Sequence, residues 1–569
     1  MSRPPRTRPP HPATPSGARR GPVTALIFVS GAVLMALEIA GSRVLAPFFG
    51  GSVFVWGSLI GIFLGAMSGG YWLGGWLSER WPRQVLLNAL LAAAGAFTLL
   101  LPLWAAPLCQ ALAGGPEGWV DLGPRLGPLT AALVLFALPS LLMGVASPFA
   151  VRLLAPDLQR VGAVAGRLYA VGTLGSIVGT LVAAFWLIPA LGVNSILSLL
   201  GAVLVATTAF TLPKGRPALV ILGIGAGLLA LRLLVAPPVL LAQPAKGRFA
   251  IVESRDSAYS SMTVVEHRLP GPGGREVPVA RQLRFGRYVQ GAIFVHPQQR
   301  RGREHWSAVP YTDLFHLARL FTPGLERVLF IGGGVGVGPR SFRRHYPEAR
   351  IDLVEIDPVV VELAGRYFDF TPDERMRVFV EDGRAFLRRN PDLRWDAIIL
   401  DAFGSGGRLP FHLMTREFLE TLKARLTPGG VVLANLPAAL SGPGGRVFHA
   451  EYRTFRAVFP AVYVFPRHDR AEQDVGSPAW WRRTRNVFLA ATLGEPRTRE
   501  DLVAEAERLW GTLGRPPHRR EDTELFYLAF HAANLLAAET LRQRVDLTGV
   551  RLLTDDYAPV DTLVFAAGE

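Results

Sequence analysis

The sequence predicts a multi-pass α-helical membrane domain followed by an α/β, Rossmann-like domain that opens with a small β module. Three observations carry this expectation. Long apolar runs recur from about Pro22 to Leu241, with cations falling between them. Further on, four short apolar runs, Val328–Ile331, Ile351–Val354, Arg377–Val380 and Ala397–Leu400, alternate with helical patterns. Alternation of that kind needs right-handed crossovers and gives a parallel sheet with helices on both faces. Lastly, each run ends in a glycine loop or a carboxylate, and such sheets bind ligands at the carboxyl ends of their strands, near the switch point.

A chain of 569 residues is too long for one domain, and 18% charged residues beside 50% hydrophobic ones point to a strongly apolar segment. The net charge of +15 does not describe a nucleic-acid-binding face. Residues 1–216 hold fourteen Lys/Arg against five Asp/Glu, and those cations lie mainly between apolar runs, which is the pattern of membrane topology. The single cysteine, Cys109, excludes an intramolecular disulfide and reads as a buried, inert thiol.

In chain order, residues 1–21 read as a disordered basic tail and 22–242 as the transmembrane domain. Seven candidate spans fall near 23–47, 53–77, 84–108, 128–151, 168–189, 191–212 and 217–241, each long enough to cross roughly 30 Å of hydrocarbon. Glycines at four-residue spacing, Gly61/Gly65/Gly69, Gly70/Gly74 and Gly175/Gly179, are expected to let helices approach closely. Two charges, Glu38 and Arg43, lie inside the first span and suit either structural pairing or a substrate path. Twelve cations in the tail and the loops on its side, against Arg125 alone on the other, place the amino terminus in the cytoplasm. Seven spans would put the following domain outside. The last run carries Arg232 and Pro237-Pro238, so six spans and a cytoplasmic domain are expected.

Residues 249–300 should form an antiparallel module from two strands, Ile251–Val265 and Gln282–Val295, joined by a loop with Gly271–Gly274. The remainder, 301–569, should be the α/β domain. Within it Trp306–Phe321 reads as a helix, Val431–Asn435, Val462–Phe465 and Asn486–Thr492 as further strands, and 498–511 and 521–544 as closing helices.

The chemistry gathers at the strand ends. Gly332-Gly333-Gly334-Val335-Gly336 follows a strand and precedes a helix, so it permits a tight turn and close ligand approach. Glu355 ends the next strand, twenty-three residues after Gly332, where a carboxylate can take both hydroxyls of a ribose. Only a bound ribose is expected to need its charge. Asp382 would suit an adenine amino group or a helix amino-terminal cap. There is no P-loop pattern and no His/Cys cluster with metal spacing, and His412 and His449 read as surface groups.

From Tyr259 to Asp401 these residues resemble the polyamine aminopropyltransferases, the spermidine and spermine synthases, particularly their membrane-fused bacterial members. The matching elements are Ser257-Ala-Tyr259, Val289-Gln290, Tyr311, the glycine turn, Val354-Glu355-Ile-Asp357, Glu381-Asp382-Gly383 and Asp396–Asp401. The resemblance implies a methyltransferase-like fold and transfer of an aminopropyl group to a small amine. The co-substrate would be decarboxylated S-adenosylmethionine, or S-adenosylmethionine itself, with no tightly bound cofactor. It also implies that Glu355 holds the ribose, Asp382 the adenine, that Gln290 and Tyr311 line the cleft with Gly332, Gly333, Gly334 and Gly336, and that Asp401 is the catalytic carboxylate. Three positions depart from the family pattern: Val335 and Gly404 replace acids, and Ser260 replaces a glutamine. Another adenosylmethionine-dependent transferase, such as a methyltransferase, or a transporter or sensor with a nucleoside-binding domain, is compatible with the same pocket. Membrane lipid is an expected partner, nucleic acid is not, and a homo-oligomer is left open.

Overall fold

The computed structural model describes residues 20–49, 53–113, 122–155, 157–212, 215–234, 249–257, 259–270, 276–286, 288–300, 307–404, 407, 409–469, 472–512 and 527–558. The chain divides into two compact units, Met1–Leu241 and Ala242–Glu569.

Among the described residues of the first unit, six helices are long and apolar enough to cross a membrane: Arg20–Phe49, Val53–Arg80, Gln84–Leu112, Arg125–Leu154, Val161–Leu187 and Val193–Thr211. The first of them begins at Arg20, inside the expected tail, whose residues 1–19 lie outside the described ones. The seventh expected run is helical over Arg216–Leu234, but its apolar stretch, Pro217–Arg232, is too short for a span, and Pro237-Pro238 lie outside the described residues. Close approach is real at two glycine pairs. A side chain on Gly175 or Gly179 would collide with the carbonyl of Phe28 or Ala32, and one on Gly70 or Gly74 with that of Leu141 or Val145. The Gly61/Gly65/Gly69 line does not pack as expected, since added carbons at Gly61 and Gly65 meet nothing within 4 Å. The helix Val53–Arg80 approaches its neighbour along the Gly70/Gly74 side, leaving the other face open. Cys109 is buried in this unit's core.

The second unit opens with four strands rather than two: β1 Phe249–Asp256, β2 Ser261–Pro270, β3 Glu276–Phe285 and β4 Tyr288–Phe294, paired in that order and antiparallel. Turns cut each expected strand in half. The Ser257 hydroxyl accepts from the amides of Tyr259 and Ser260, and Gly286 adopts a positive φ of 55°. The Gly271–Gly274 loop lies outside the described residues.

Seven strands build the main sheet: β5 Arg327–Ile331, β6 Arg350–Glu355, β7 Met376–Val380, β8 Trp395–Leu400, β9 Leu426–Ala438, β10 Ala461–Pro466 and β11 Arg485–Thr492. Their spatial order is β10-β11-β9-β8-β5-β6-β7, with β11 antiparallel to both neighbours and the remaining pairs parallel. Both faces are apolar because successive side chains alternate. Val328 and Phe330 enter one core cluster, Leu329 and Ile331 the other. The order reverses between β5 and β8, and a crevice opens there at the strands' carboxyl ends.

Two helical expectations change. Pro310–Leu320 is a 3-10 helix, and Trp306 is outside the described residues. Tyr311, Leu314, Leu317 and Leu320 repeat every three residues, so a three-residue turn keeps all four buried on one side. The segment 521–544 is described only from 527, where it forms two short helices, Leu528–Ala533 and Ala538–Arg544, instead of one long one.

Candidate active site

The glycine turn is set by steric contact. Gly332, Gly334 and Gly336 have φ of 90°, 48° and 74°, a region L side chains avoid. A side chain on Gly332 would also run into the backbone of Asp401 and Ala402 at the end of β8. The Gly336 amide closes the turn on the Gly333 carbonyl at 2.8 Å and leads into the helix Val337–His345.

Glu355, at the end of β6, does more than wait for a ligand. Its Oε2 accepts from the Gly333 amide at 3.0 Å and its Oε1 from the Asp357 amide at 3.1 Å. Burial raises its pKa, and these two amides oppose the rise. The expectation that only a ribose needs this charge is therefore too narrow, because the charge also holds the glycine turn. Asp357 caps the following helix through the Val359 amide at 3.0 Å and accepts from the Ser257 hydroxyl. Two matched elements far apart in the chain, around Ser257 and Glu355, are thereby joined.

Asp382 takes the capping role, one of the two expected of it, and turns its other oxygen to a histidine. Oδ1 caps the helix Gly383–Arg389 through the Ala385 amide at 2.9 Å, while Oδ2 faces His412 Nε2 at 3.1 Å. His412 is thus a cleft residue and not merely a surface group. It is held by Arg384, which donates to its carbonyl at 3.2 Å and pairs with Asp555. His449 is also withdrawn from solvent. Its Nε2 lies 3.0 Å from the Leu440 carbonyl, and burial lowers its pKa. Nothing in the spacing of either histidine announces this.

Asp401 lies at the switch point. Asn435, from β9, donates to Oδ1 at 2.7 Å, and the Tyr311 hydroxyl to Oδ2 at 3.3 Å. Asn486, from β11, donates in turn to Asn435 Oδ1 at 3.0 Å. Burial pushes the Asp401 pKa up to about 7 despite both hydrogen bonds, which favour the charged form. Tyr311 is pushed well above the ordinary phenol value by burial and by the charge of Asp401.

Two cavities meet here. The smaller, about 290 Å³, is bounded by Gly332, Gly334, Glu355, Asp382, Asp401 and Gln290, with Ser260 and His412 also on its wall. The larger, about 450 Å³, is reached past Gln290 and Phe403, which line both, and includes Tyr311, Asn486 and Glu451. Of the expected site residues, Gly333 and Gly336 line neither cavity, shaping the turn instead, and Tyr311 belongs to the larger one alone. The three departures separate. Val335 is 2% exposed and packs with Met262, Val264 and Leu283, against Gly291. Gly404 faces the smaller cavity, with nothing within 4 Å of an added side chain. Ser260 is buried there with its hydroxyl unpartnered among the described residues. No group of three or more His, Cys, Asp or Glu able to hold a metal ion is present among the described residues.

Sheet order, glycine turn and switch-point carboxylates define the class: an α/β, Rossmann-like domain with its cleft between β5 and β8. Residues 310–439 match the spermine/spermidine synthase domain. Over 323 residues the chain is 32% identical to the polyamine aminopropyltransferase of Vibrio vulnificus, covering 56% of this chain and 92% of that protein. The chain belongs to the polyamine aminopropyltransferase family, with the family domain fused to apolar membrane-spanning helices. It is also 36% identical to putrescine N-methyltransferase 2 of Nicotiana tabacum over 128 residues, 22% of this chain and 36% of that one. Among solved structures, spermidine synthase from Thermotoga maritima aligns with a TM-score of 0.37 and 18% identity, over 52% of this chain and 87% of its own.

The environments of Val335 and Gly404 predict opposite responses to an introduced acid. Val335→Asp buries a carboxylate among apolar side chains and should cost on the order of 3 kcal/mol or more. Gly404→Asp should remain folded, with its carboxylate in the cleft. Thermal unfolding of both variants in detergent checks this, and native-like melting of Val335→Asp would show that its side chain does not sit in the core.

Proposed function

We propose that the smaller cavity takes the adenosyl part of decarboxylated S-adenosylmethionine, the larger one an acceptor amine, and that the protein transfers the aminopropyl group between them. The observation that carries this reading is the position of Asp401. It lines the smaller cavity, holds the tyrosine that lines the larger, and has a pKa near neutrality. In the reaction the amine nitrogen bonds to the propyl carbon carried by the sulfonium. The carbon–sulfur bond breaks with its electron pair going to sulfur, which leaves methylthioadenosine, and Asp401 takes the proton lost from nitrogen. Each free lone pair on Glu355 can accept from a ribose hydroxyl, and Asp382 with His412 faces the base. Holding both reactants in one cleft supplies much of the acceleration.

Methyl transfer from S-adenosylmethionine is the second reading, supported by the similarity to a putrescine N-methyltransferase. The donors are separated by product: aminopropylated amine from one, methylated amine from the other.

Three outcomes test these assignments. Glu355→Gln should weaken methylthioadenosine binding by about 1.5–3 kcal/mol, the worth of hydrogen bonds to a charged group. Calorimetry on the detergent-solubilised protein measures it, and unchanged affinity would remove Glu355 from the ribose.

Asp401 accepts a proton only as a carboxylate. Turnover at saturating substrates should therefore fall as pH drops below about 7 and level off above it. Asp401→Asn should lower turnover by roughly 10²–10⁴ and abolish that limb. A pH–rate profile that the variant leaves intact would exclude Asp401 as the base.

The cation distribution, with six spans, supports a cytoplasmic placement of both the amino terminus and the α/β domain. Reporter fusions at Lys214 and Gly247 should both read as cytoplasmic. An external signal at Gly247 would mean that the chain crosses the membrane once more.

A further inference from the structure

A surface groove of about 920 Å³ lies between the helices Arg446–Val458 and Ala538–Arg544 and the segment 545–552. None of the residues lining it borders either cleft cavity. The helix Arg446–Val458 separates the two regions. Val447 and Glu451, whose Oε2 is buried without a partner among the described residues, border the larger cleft cavity. Arg453, half a turn on from Glu451, lines the groove with Arg456.

Four arginines line this groove, Arg453, Arg456, Arg542 and Arg544, against one acid, Asp546. Arg542 pairs with Glu539 at 3.2 Å, but both side chains are exposed and such a pair holds little. The other three arginines make no ion pair among the described residues. Arg453 donates through Nη1 to the Leu547 and Val550 carbonyls. Arg456 lies 5.7 Å from the centre of the Tyr452 ring, and Arg544 lies 5.4 Å from that of Trp481. Carbonyls and rings orient a guanidinium without cancelling its charge, so the groove keeps an excess of positive charge. Its wall is not all polar. Leu541 and Val545, buried in the core, line it together with Leu547 and Leu552.

Guanidinium groups gathered in one groove suit phosphate. An aliphatic wall beside them favours the phosphate of a lipid, which brings a glycerol and acyl chains with it, over free phosphate. The chain's layout favours the same source. Fourteen residues, 235–248, separate the helix Arg216–Leu234 from β1, a reach of at most about 50 Å. A basic surface tethered that near a bilayer meets anionic headgroups at high effective concentration.

We propose that this groove binds the phosphate of anionic lipid headgroups and thereby docks the α/β domain on the membrane surface. The proposal is independent of which group the cleft transfers.

The test uses the full-length protein and a single introduced thiol, because the only native cysteine, Cys109, is buried. Thr548→Cys, at an exposed position in the groove, carries a fluorophore. The labelled protein is placed in nanodiscs of phosphatidylcholine, alone or mixed equally with phosphatidylglycerol, with a trace of lipid bearing a nitroxide on its headgroup. Quenching should be stronger in the anionic discs. Arg456→Gln and Arg544→Gln should each lower the ratio of docked to free domain roughly fivefold, the worth of one basic residue at an anionic surface. Arg542→Gln, which removes one exposed ion pair, replaces either variant if it does not melt like the native protein. Equal quenching in the two discs overturns the proposal, as does quenching that survives the arginine substitutions. The same label at Glu507, exposed on the helix Arg499–Thr512 and outside the groove, should respond less, and an equal response there would mean that another face docks. In detergent without anionic lipid, inorganic phosphate should leave the rate of alkylation at Thr548→Cys unchanged. Protection by phosphate that the arginine substitutions abolish would make the groove a site for free phosphate and overturn the lipid assignment.

Discussion

The contact between the backbone of Gly332 and that of Asp401 and Ala402 sets the geometry of the cleft. These residues end adjacent parallel strands, β5 and β8, at the one place where the sheet order reverses. No side chain fits between them, so the turn can fold back and the carboxylate of Asp401 stands beside it. The Glu355 carboxylate then holds the turn through the Gly333 amide, and the Asp401 amide extends the ladder to the Ile331 carbonyl at 2.9 Å. A larger residue at Gly332 would displace both strand ends and, with them, the carboxylates on either side.

Charge in this domain is sorted by what satisfies it. Asp352 is buried at one edge of the core and is locked by two arginines and an indole, which makes it a structural acid. Asp401 is held by two neutral donors, Asn435 and Tyr311, which orient it without fixing its proton, and burial leaves its pKa close to neutral. Paired carboxylates keep their charge, while those flanked by neutral donors or by nothing are free to respond to a ligand. Asp401 and Glu451 belong to the second kind, and each lines a cavity.

The apolar unit follows a different constraint. Lipid offers no hydrophobic drive for helices to associate, so contact depends on how closely backbones approach. At Gly175 and Gly179 the helix Val161–Val182 lies against the carbonyls of Phe28 and Ala32, and no larger residue would fit. Asn88 adds a polar tie between helices by donating to the Thr208 carbonyl at 2.6 Å and the Thr211 hydroxyl at 2.8 Å. Spacing alone does not distinguish a packed glycine line from an open one. Gly61 and Gly65 have the same period as Gly175 and Gly179, yet a side chain added there would meet nothing within 4 Å among the described residues.

The sequence by itself determined whatever depends on neighbours in the chain. Apolar runs bounded by glycine or acid located β5, β6, β7 and β8, because a buried parallel strand needs apolar side chains on both faces. The position of Gly332–Gly336 after such a run placed the turn, and strand-end position picked out Glu355, Asp382 and Asp401. The tertiary structure decided what depends on residues brought together from afar. Ser257 meets Asp357 across 100 positions, Tyr311 meets Asp401 across 90, and Asp382 meets His412 across 30. No local period encodes those pairings. Val335 shows the same limit: its place in the glycine turn suggests the cleft, but the turn's φ angles and the packing of β2 and β3 direct its side chain into the core. Glu451 lies on a helix whose pattern says only that one face is buried. That this residue borders a cavity and that its Oε2 is buried without a partner among the described residues follows from strands and loops distant in the chain, since burial and satisfaction are properties of the assembled fold.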